Sequence, residues 1–305
     1  MDLNLGGCIK LVQIHPSIGI LRQLRHMRLR NCKNLIEVPN LREVECLNSL
    51  DLEGCIEVVH IDSSIGNLRQ LEELNLKNCK NLVLNLNILM GISSLRFLDL
   101  SGCSNLHNSK MLRDSKVTKH LEKVDKNTNI IQLPTSSIYK LLMSSFDFFY
   151  PAKPQHSRGL SWSSLSFPLP WLYYLDISFC SILQIPDEIG NLSSLEILDL
   201  GGNKFVTLPN TIKQLSNLYW LNLEHCKQLE YLPELPTIKV RSTGVYTGLL
   251  IFDCPKLRDM KHCYSTVFSW MTQNLEVTTP SFISYLTFCV HYLCITEFSL
   301  RKMIF

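Results

Sequence analysis

Apolar positions recur along this chain in a fixed phrase, and the cysteines mark it. Cys8, Cys32, Cys55, Cys79 and Cys103 are spaced by 24, 23, 24 and 24 residues; Cys180, Asn203 and Cys226 resume the phrase at 23 and 23, and Cys254 follows 28 later. Around each mark an aliphatic residue stands five before, three before and three after: Leu3, Leu5 and Leu11; Met27, Leu29 and Leu35; Leu50, Leu52 and Val58; Leu74, Leu76 and Leu82; Leu98, Leu100 and Leu106. The second block continues with Leu175, Ile177, Leu183; Leu198, Leu200, Val206; Leu221, Leu223, Leu229; and Leu249, Ile251, Leu257. A further Leu stands eight before the mark at Leu24, Leu47, Leu71, Leu95, Leu172, Leu195 and Leu218. Two apolar residues at a spacing of two predict a short strand whose leucines point inward while the residues between them point out. Repetition at about 24 residues predicts that these strands stack into a solenoid. Asn203 replaces Cys without disturbing the register, so the mark is one structural slot at a sharp turn, where a buried side chain reaches backbone groups that no strand neighbour satisfies.

The half of each repeat after the slot reads differently. Ile61-Asp62-Ser63-Ser64-Ile65-Gly66, Ile185-Pro186-Asp187-Glu188-Ile189-Gly190, Leu208-Pro209-Asn210-Thr211-Ile212 and Leu232-Pro233-Glu234-Leu235-Pro236 place Pro or Ser where a helix would need regular backbone. Proline forbids a regular helix interior, so this side should be irregular or built of short 3₁₀ pieces. Four segments follow: a first repeat block over 1–107, a degenerate repeat and irregular insertion over 108–170, a second block over 171–258, and a C-terminal tail over 259–305. In the insertion, only Ile131-Gln132-Leu133-Pro134 repeats the pattern, with Lys123 and Asp125 where strand leucines belong. In the tail, no charge occurs from Val277 to Thr296, a stretch readable as a displaced tail, core strands of a truncated domain, or a membrane anchor.

Composition changes this picture in one respect. Hydrophobic residues make up 46 % and charged ones 19 %, against a usual charged share of about 25 %, so the chain has ample core material. The net charge of +3 is too small and too spread to argue for nucleic acid or an anionic membrane. Leucine occurs 53 times and cysteine 12, and the repeat absorbs most of both. Stacked strands lie about 4.8 Å apart, so geometry alone leaves disulfides between slots open; their burial and the lack of a signal peptide favour free thiols. The chemistry of an enzyme is missing. The sequence holds no H-E-x-x-H, no C-x-x-C and no G-x-x-x-x-G-K-[ST] phosphate loop, so no cofactor, metal or catalytic residue is expected.

The phrase L-x-x-L-x-L-x-x-(N/C)-x-x-L resembles the leucine-rich repeat. More narrowly, Leu98-Asp99-Leu100-Ser101-Gly102-Cys103-Ser104-Asn105-Leu106 and Leu221-Asn222-Leu223-Glu224-His225-Cys226-Lys227-Gln228-Leu229, with Leu-Pro-x-x-Ile halves, resemble plant intracellular disease-resistance receptors of the Toll/interleukin-1-receptor, nucleotide-binding, leucine-rich-repeat class. Phe252-Asp253-Cys254-Pro255-Lys256-Leu257 is similar to the point where that class leaves its repeats. The resemblance implies an α/β solenoid, a horseshoe with a parallel concave β-sheet and an irregular or 3₁₀ convex side, interrupted by an insertion. It also implies a cytoplasmic or nucleocytoplasmic interaction module that recognises a pathogen effector or a host protein, or that regulates a nucleotide-binding domain. The Toll-type and nucleotide-binding parts are absent, so the chain reads as a fragment or truncated product of a larger receptor. Two other readings stand beside it: an extracellular receptor or inhibitor ectodomain, weakened by a single glycosylation sequon at Asn191-Leu192-Ser193, and a nonfunctional gene fragment.

Function is then expected on the strand face, at positions six, four and two before each slot. The first block presents His26, Arg28, Arg30, then Ser49, Asp51, Glu53, then Glu73, Asn75, Lys77, then Phe97 and Asp99. The second presents Tyr174, Asp176, Ser178, then Ile197, Asp199, Gly201, then Trp220, Asn222, Glu224. Asp99, Asp176 and Asp199 read as a solvated or partner-facing stripe. Tyr174, Ile197 and Trp220 fall in one column that suits a protein interface, where Tyr and Trp are common hot spots.

Overall fold

A computed structural model describes residues 1–84, 86–105, 169–237 and 248–258; of the insertion expected over 108–170 only Leu169 and Pro170 are among them, and the tail from 259 onward lies outside them. Each described repeat forms one strand of three residues: β1 (Asp2–Asn4), β2 (His26–Arg28), β3 (Ser49–Asp51), β4 (Glu73–Asn75), β5 (Phe97–Asp99), β6 (Tyr174–Asp176), β7 (Ile197–Asp199), β8 (Trp220–Asn222) and β9 (Gly248–Leu250). They make one nine-stranded parallel sheet in sequence order. Middle residues align one to one, Leu3, Met27, Leu50, Leu74, Leu98, Leu175, Leu198, Leu221 and Leu249. All but Leu3 are buried, and each such side chain contributes roughly 1.5–3 kcal/mol of burial.

β5 pairs directly with β6, Tyr174 opposite Phe97, so the residues between them leave the sheet register unbroken. The Leu100 N–H donates to the Asp176 carbonyl at 2.8 Å across this junction. The opposite side carries five 3₁₀ segments among the described residues, Pro16–Ile20, Ser63–Asn67, Leu86–Gly91, Asp187–Asn191 and Asn210–Gln214. The fold is therefore a parallel β-solenoid with little helix. Glycine lets these segments stack closely: a Cβ at Gly66 would stand 2.6 Å from the Ile88 carbonyl oxygen.

The slot residues explain the cysteines. In each repeat after the first, the slot side chain donates to the carbonyl of the residue three before the preceding slot: Cys32 Sγ to Leu5 at 3.1 Å, Cys55 to Leu29 at 3.1 Å, Cys79 to Leu52 at 3.2 Å and Cys103 to Leu76 at 3.1 Å. Cys180 reaches Leu100 at 3.0 Å, Cys226 reaches Leu200 at 3.4 Å and Cys254 reaches Leu223 at 3.2 Å. Asn203 does more. Its amide donates to Ile177 at 2.9 Å and Leu200 at 2.8 Å, while its Oδ1 accepts from the N–H groups of Cys180 at 3.2 Å and Ile182 at 3.0 Å. Cys8, with no repeat before it in the sheet, is exposed. None of the nine described cysteines is in a disulfide. Burial raises the Cys55 and Cys254 thiols to about 12 and Cys226 to about 11. Such thiols stay protonated and are poor nucleophiles or metal ligands.

Two expectations about this interior need correcting. The aliphatic residue three after the slot is buried at Leu35, Val58, Leu82 and Leu229, but Leu183 and Val206 are 42 % and 47 % exposed. Their neighbours Ile182 and Phe205 fill the core instead. Where the core residue stands three after, its N–H returns to the slot carbonyl, as Leu35 to Cys32. After Cys180 the Ile182 N–H goes to Asn203 Oδ1, and the turn closes one residue earlier.

The outward sheet face as candidate interaction surface

The strands are short because one outward residue turns its side chain onto the backbone. Residues one and three before a slot donate their N–H groups to the next repeat, as Leu52 does to Asn75 and Gly54 to Lys77, both at 2.8 Å. The N–H between them has no ladder partner and would be an orphan donor. It is satisfied by the residue four before the slot: Glu53 N donates to Asp51 Oδ1 at 3.0 Å, Lys77 N to Asn75 at 3.1 Å, Ser101 N to Asp99 at 2.9 Å and Ser178 N to Asp176 at 2.9 Å. Gly201 N to Asp199 at 2.9 Å and Glu224 N to Asn222 at 2.8 Å continue the series. Arg28 occupies this place in β2 and is exposed.

Asp99 and Asp176 therefore do not form a solvated stripe. They are 5 % and 7 % exposed, and Asp99 Oδ1 also accepts from the Ser101 hydroxyl at 2.6 Å. Desolvation drives Asp176 up to about 6; the Ser178 N–H opposes it, and the charges of Asp199 and Asp99 push with it. Asp199 is half-buried, its Oδ2 accepting from Asn222 Nδ2 at 3.0 Å.

The first outward column behaves otherwise. Phe97 and Tyr174 stack face to face with ring centroids 4.3 Å apart and planes 11° apart. Ile197 and Trp220 continue the column in register. Trp220 lies over β9, where a Cβ added to Gly248 would collide with its ring. All four are half-buried. The phenol of Tyr174 is pushed above its ordinary value by burial first, then by Asp176, Asp99 and Asp199, so it stands in the field of all three carboxylates.

At the other end of the sheet, the charges are mixed and mutually paired. Arg30 Nη2 lies 2.6 Å from Glu53 Oε2 and its Nε 3.5 Å from Asp51 Oδ2, while Asn75 Nδ2 donates to Glu53 at 3.3 Å. Arg28, Asp51, Glu53, Asn75 and Lys77 are thus one patch, and Phe97, Tyr174, Ile197 and Trp220 another.

The residues directly before the slots form a class that the leucine spacing does not reveal: all nine adopt left-handed backbone, Gly7, Asn31, Gly54, Asn78, Gly102, Phe179, Gly202, His225 and Asp253. Glycine and asparagine there are a readable signal. Phe179 and His225 carry none, although Phe179 is 57 % exposed and lies 6.3 Å, centroid to centroid, from His225.

A family model for the leucine-rich repeat region matches residues 166–293. The TMV resistance protein N of Nicotiana glutinosa is 35 % identical over 150 residues, 48 % of this chain and 12 % of that protein. The disease resistance-like protein DSC1 of Arabidopsis thaliana is 33 % identical over 163 residues, again 48 % and 12 %. A leucine-rich repeat protein of Leptospira interrogans aligns over 88 % of this chain and 58 % of its own at a TM-score of 0.47 and 18 % identity. The chain is a leucine-rich-repeat solenoid. Its repeats are similar to those of plant disease resistance proteins, and the match spans about 12 % of the length of those relatives.

Proposed function

We propose that this chain is a protein-interaction module in plant defence, and that its outward face from β5 to β8 holds a partner, either a pathogen effector or a host protein. In a longer receptor, the same surface would restrain a neighbouring nucleotide-binding domain. The observation that carries this reading is the continuous Phe97–Tyr174–Ile197–Trp220 column, half-buried and in register on four adjacent strands. Large aromatic side chains at the centre of a patch are the residues on which interfaces concentrate their affinity. Asp99 and Asp176 lie buried beside that column and Asp199, Asn222 and Glu224 flank it, while Arg28, Asp51, Glu53, Asn75 and Lys77 form the separate charged patch on β2 to β4. Free thiols at every described cysteine suit a reducing compartment, cytoplasmic or nucleocytoplasmic.

The test is a partner recovered by screening with the wild-type chain. Trp220→Ala should weaken its binding by about tenfold or more while circular dichroism stays unchanged. Binding that survives the substitution in a correctly folded chain refutes the assignment.

A further inference from the structure

We infer that the partner anchors on this face through a basic side chain, an arginine or lysine whose stem lies along the Phe97–Tyr174–Ile197–Trp220 column and whose cation is received at Asp199. The inference rests on the proposed interaction role and names the chemistry of the occupant.

Three observations carry it. First, the apolar column and the carboxylate column occupy the first and third residues of the same strands from β5 to β7. They point to one side of the sheet about 7 Å apart, a span that an arginine or lysine side chain covers. Second, the outward positions from β5 to β8 carry Asp99, Asp176, Asp199 and Glu224 and no cation. Among the described residues, no Lys, Arg or His nitrogen pairs with Asp99, Asp176 or Asp199. Third, these carboxylates stand side by side on adjacent strands, with Asp99 and Asp176 buried. Asp176 is raised by burial and by Asp199 and Asp99, and each carboxylate stands beside another in register. Ionised groups buried without a counter-charge are unfavourable, and an incoming cation offsets that cost while an acidic or wholly apolar occupant adds to it.

Asp199 is the open member and makes the contact; Asp176 and Asp99 stand beside it on the adjacent strands and add their field. Among the described residues, no group of three or more metal-binding side chains is arranged around one point. The site therefore favours a cation spread over a side chain, whose stem also uses the aromatic surface.

A random peptide display library, panned against the full chain at low salt and counter-selected against Trp220→Ala, tests this. Trp220-dependent peptides should be enriched in Arg or Lys. Replacing the basic residue of a selected peptide by Gln should weaken it by about tenfold, and so should Asp199→Asn in the protein; the dissociation constant should rise with salt. Asp199 is only half-buried, and retained thermal stability of the variant separates lost binding from lost fold. Trp220-dependent peptides without a basic residue, or insensitive to Asp199→Asn, overturn this inference and leave the interaction role standing. A selection that yields no Trp220-dependent peptide overturns both.

Discussion

The two ends of this sheet solve the same structural problem with different residues, inside and out. From β2 to β4 the interior slots are cysteines, each giving one weak S–H···O bond, and the outward charges cancel within the patch, with Arg30 held between Asp51 and Glu53. From β5 to β8 one slot is Asn203 with four strong bonds, and the outward carboxylates have no cation beside an aromatic column. Strand length and register are the same in both. The interior slots and the outward columns thus differ between the two regions although they belong to the same repeats.

That contrast can be broken from the inside first. Asn203→Ala orphans the N–H groups of Cys180 and Ile182 and the carbonyls it caps, and should cost about 3 kcal/mol or more, since each buried polar group left unpaired costs roughly 1–3 kcal/mol. Cys79→Ala removes one weak donor and a small buried volume and should cost only about 1 kcal/mol. Urea unfolding of both variants measures the difference; equal losses would contradict the distinction between the slots.

The outward face offers a smaller, pH-dependent effect. Asp176 sits at about 6 in the folded chain, above the ordinary carboxylate value, with Asp99, Asp199, Tyr174 and Ser178 facing it. Between the ordinary value and about 6 the folded chain binds more protons than the unfolded chain, so this group's contribution to stability falls as pH rises through that window. Asp176→Asn keeps an acceptor for the Ser178 N–H, as Asn222 does for Glu224. It should raise stability by on the order of 1 kcal/mol near neutral pH, with the gain vanishing near pH 4. Urea midpoints at the two pH values decide it, and a loss at neutral pH would show that the carboxylate is better compensated than its surroundings suggest. The smallest change expected is at the other patch. Arg30→Ala exposes an ion pair already half open to solvent, so it should cost under about 1 kcal/mol and less still in high salt. Thermal melts at two ionic strengths give the answer.

Much of this was legible in the amino-acid order. The leucine spacing places every strand, and the interchange of Cys with Asn203 reveals the slot, because both depend on which side of a strand a residue faces. The role of Asp99 and Asp176 was not legible. An aspartate two residues from an exposed strand position looks the same whether it meets water or caps its own backbone, and only the missing ladder partner of the Ser101 and Ser178 N–H groups decides. Nor could Ile182 be told from Leu183, or Phe205 from Val206, since each pair is apolar; after Cys180 the choice goes with the Ile182 N–H bond to Asn203, a residue of the next repeat. Phe179 shows a third limit: nothing about a bulky aromatic announces left-handed backbone.

The left-handed corners also bear on how such an array can grow. Side chains and glycines alternate there, Gly7, Asn31, Gly54, Asn78, Gly102, then Phe179, Gly202 and His225. The alternation is steric: a Cβ at Gly102 would stand 2.5 Å from Asn78 Oδ1, and one at Gly202 would run into the Phe179 ring. Only at the last step do two side chains meet, and there His225 Nδ1 and Asp253 Oδ2 hold each other at 2.9 Å. A single repeat gained or lost within the series would bring two bulky corners together or leave two bare ones. Only a change by a pair of repeats keeps the alternation, twice the period seen in the leucines.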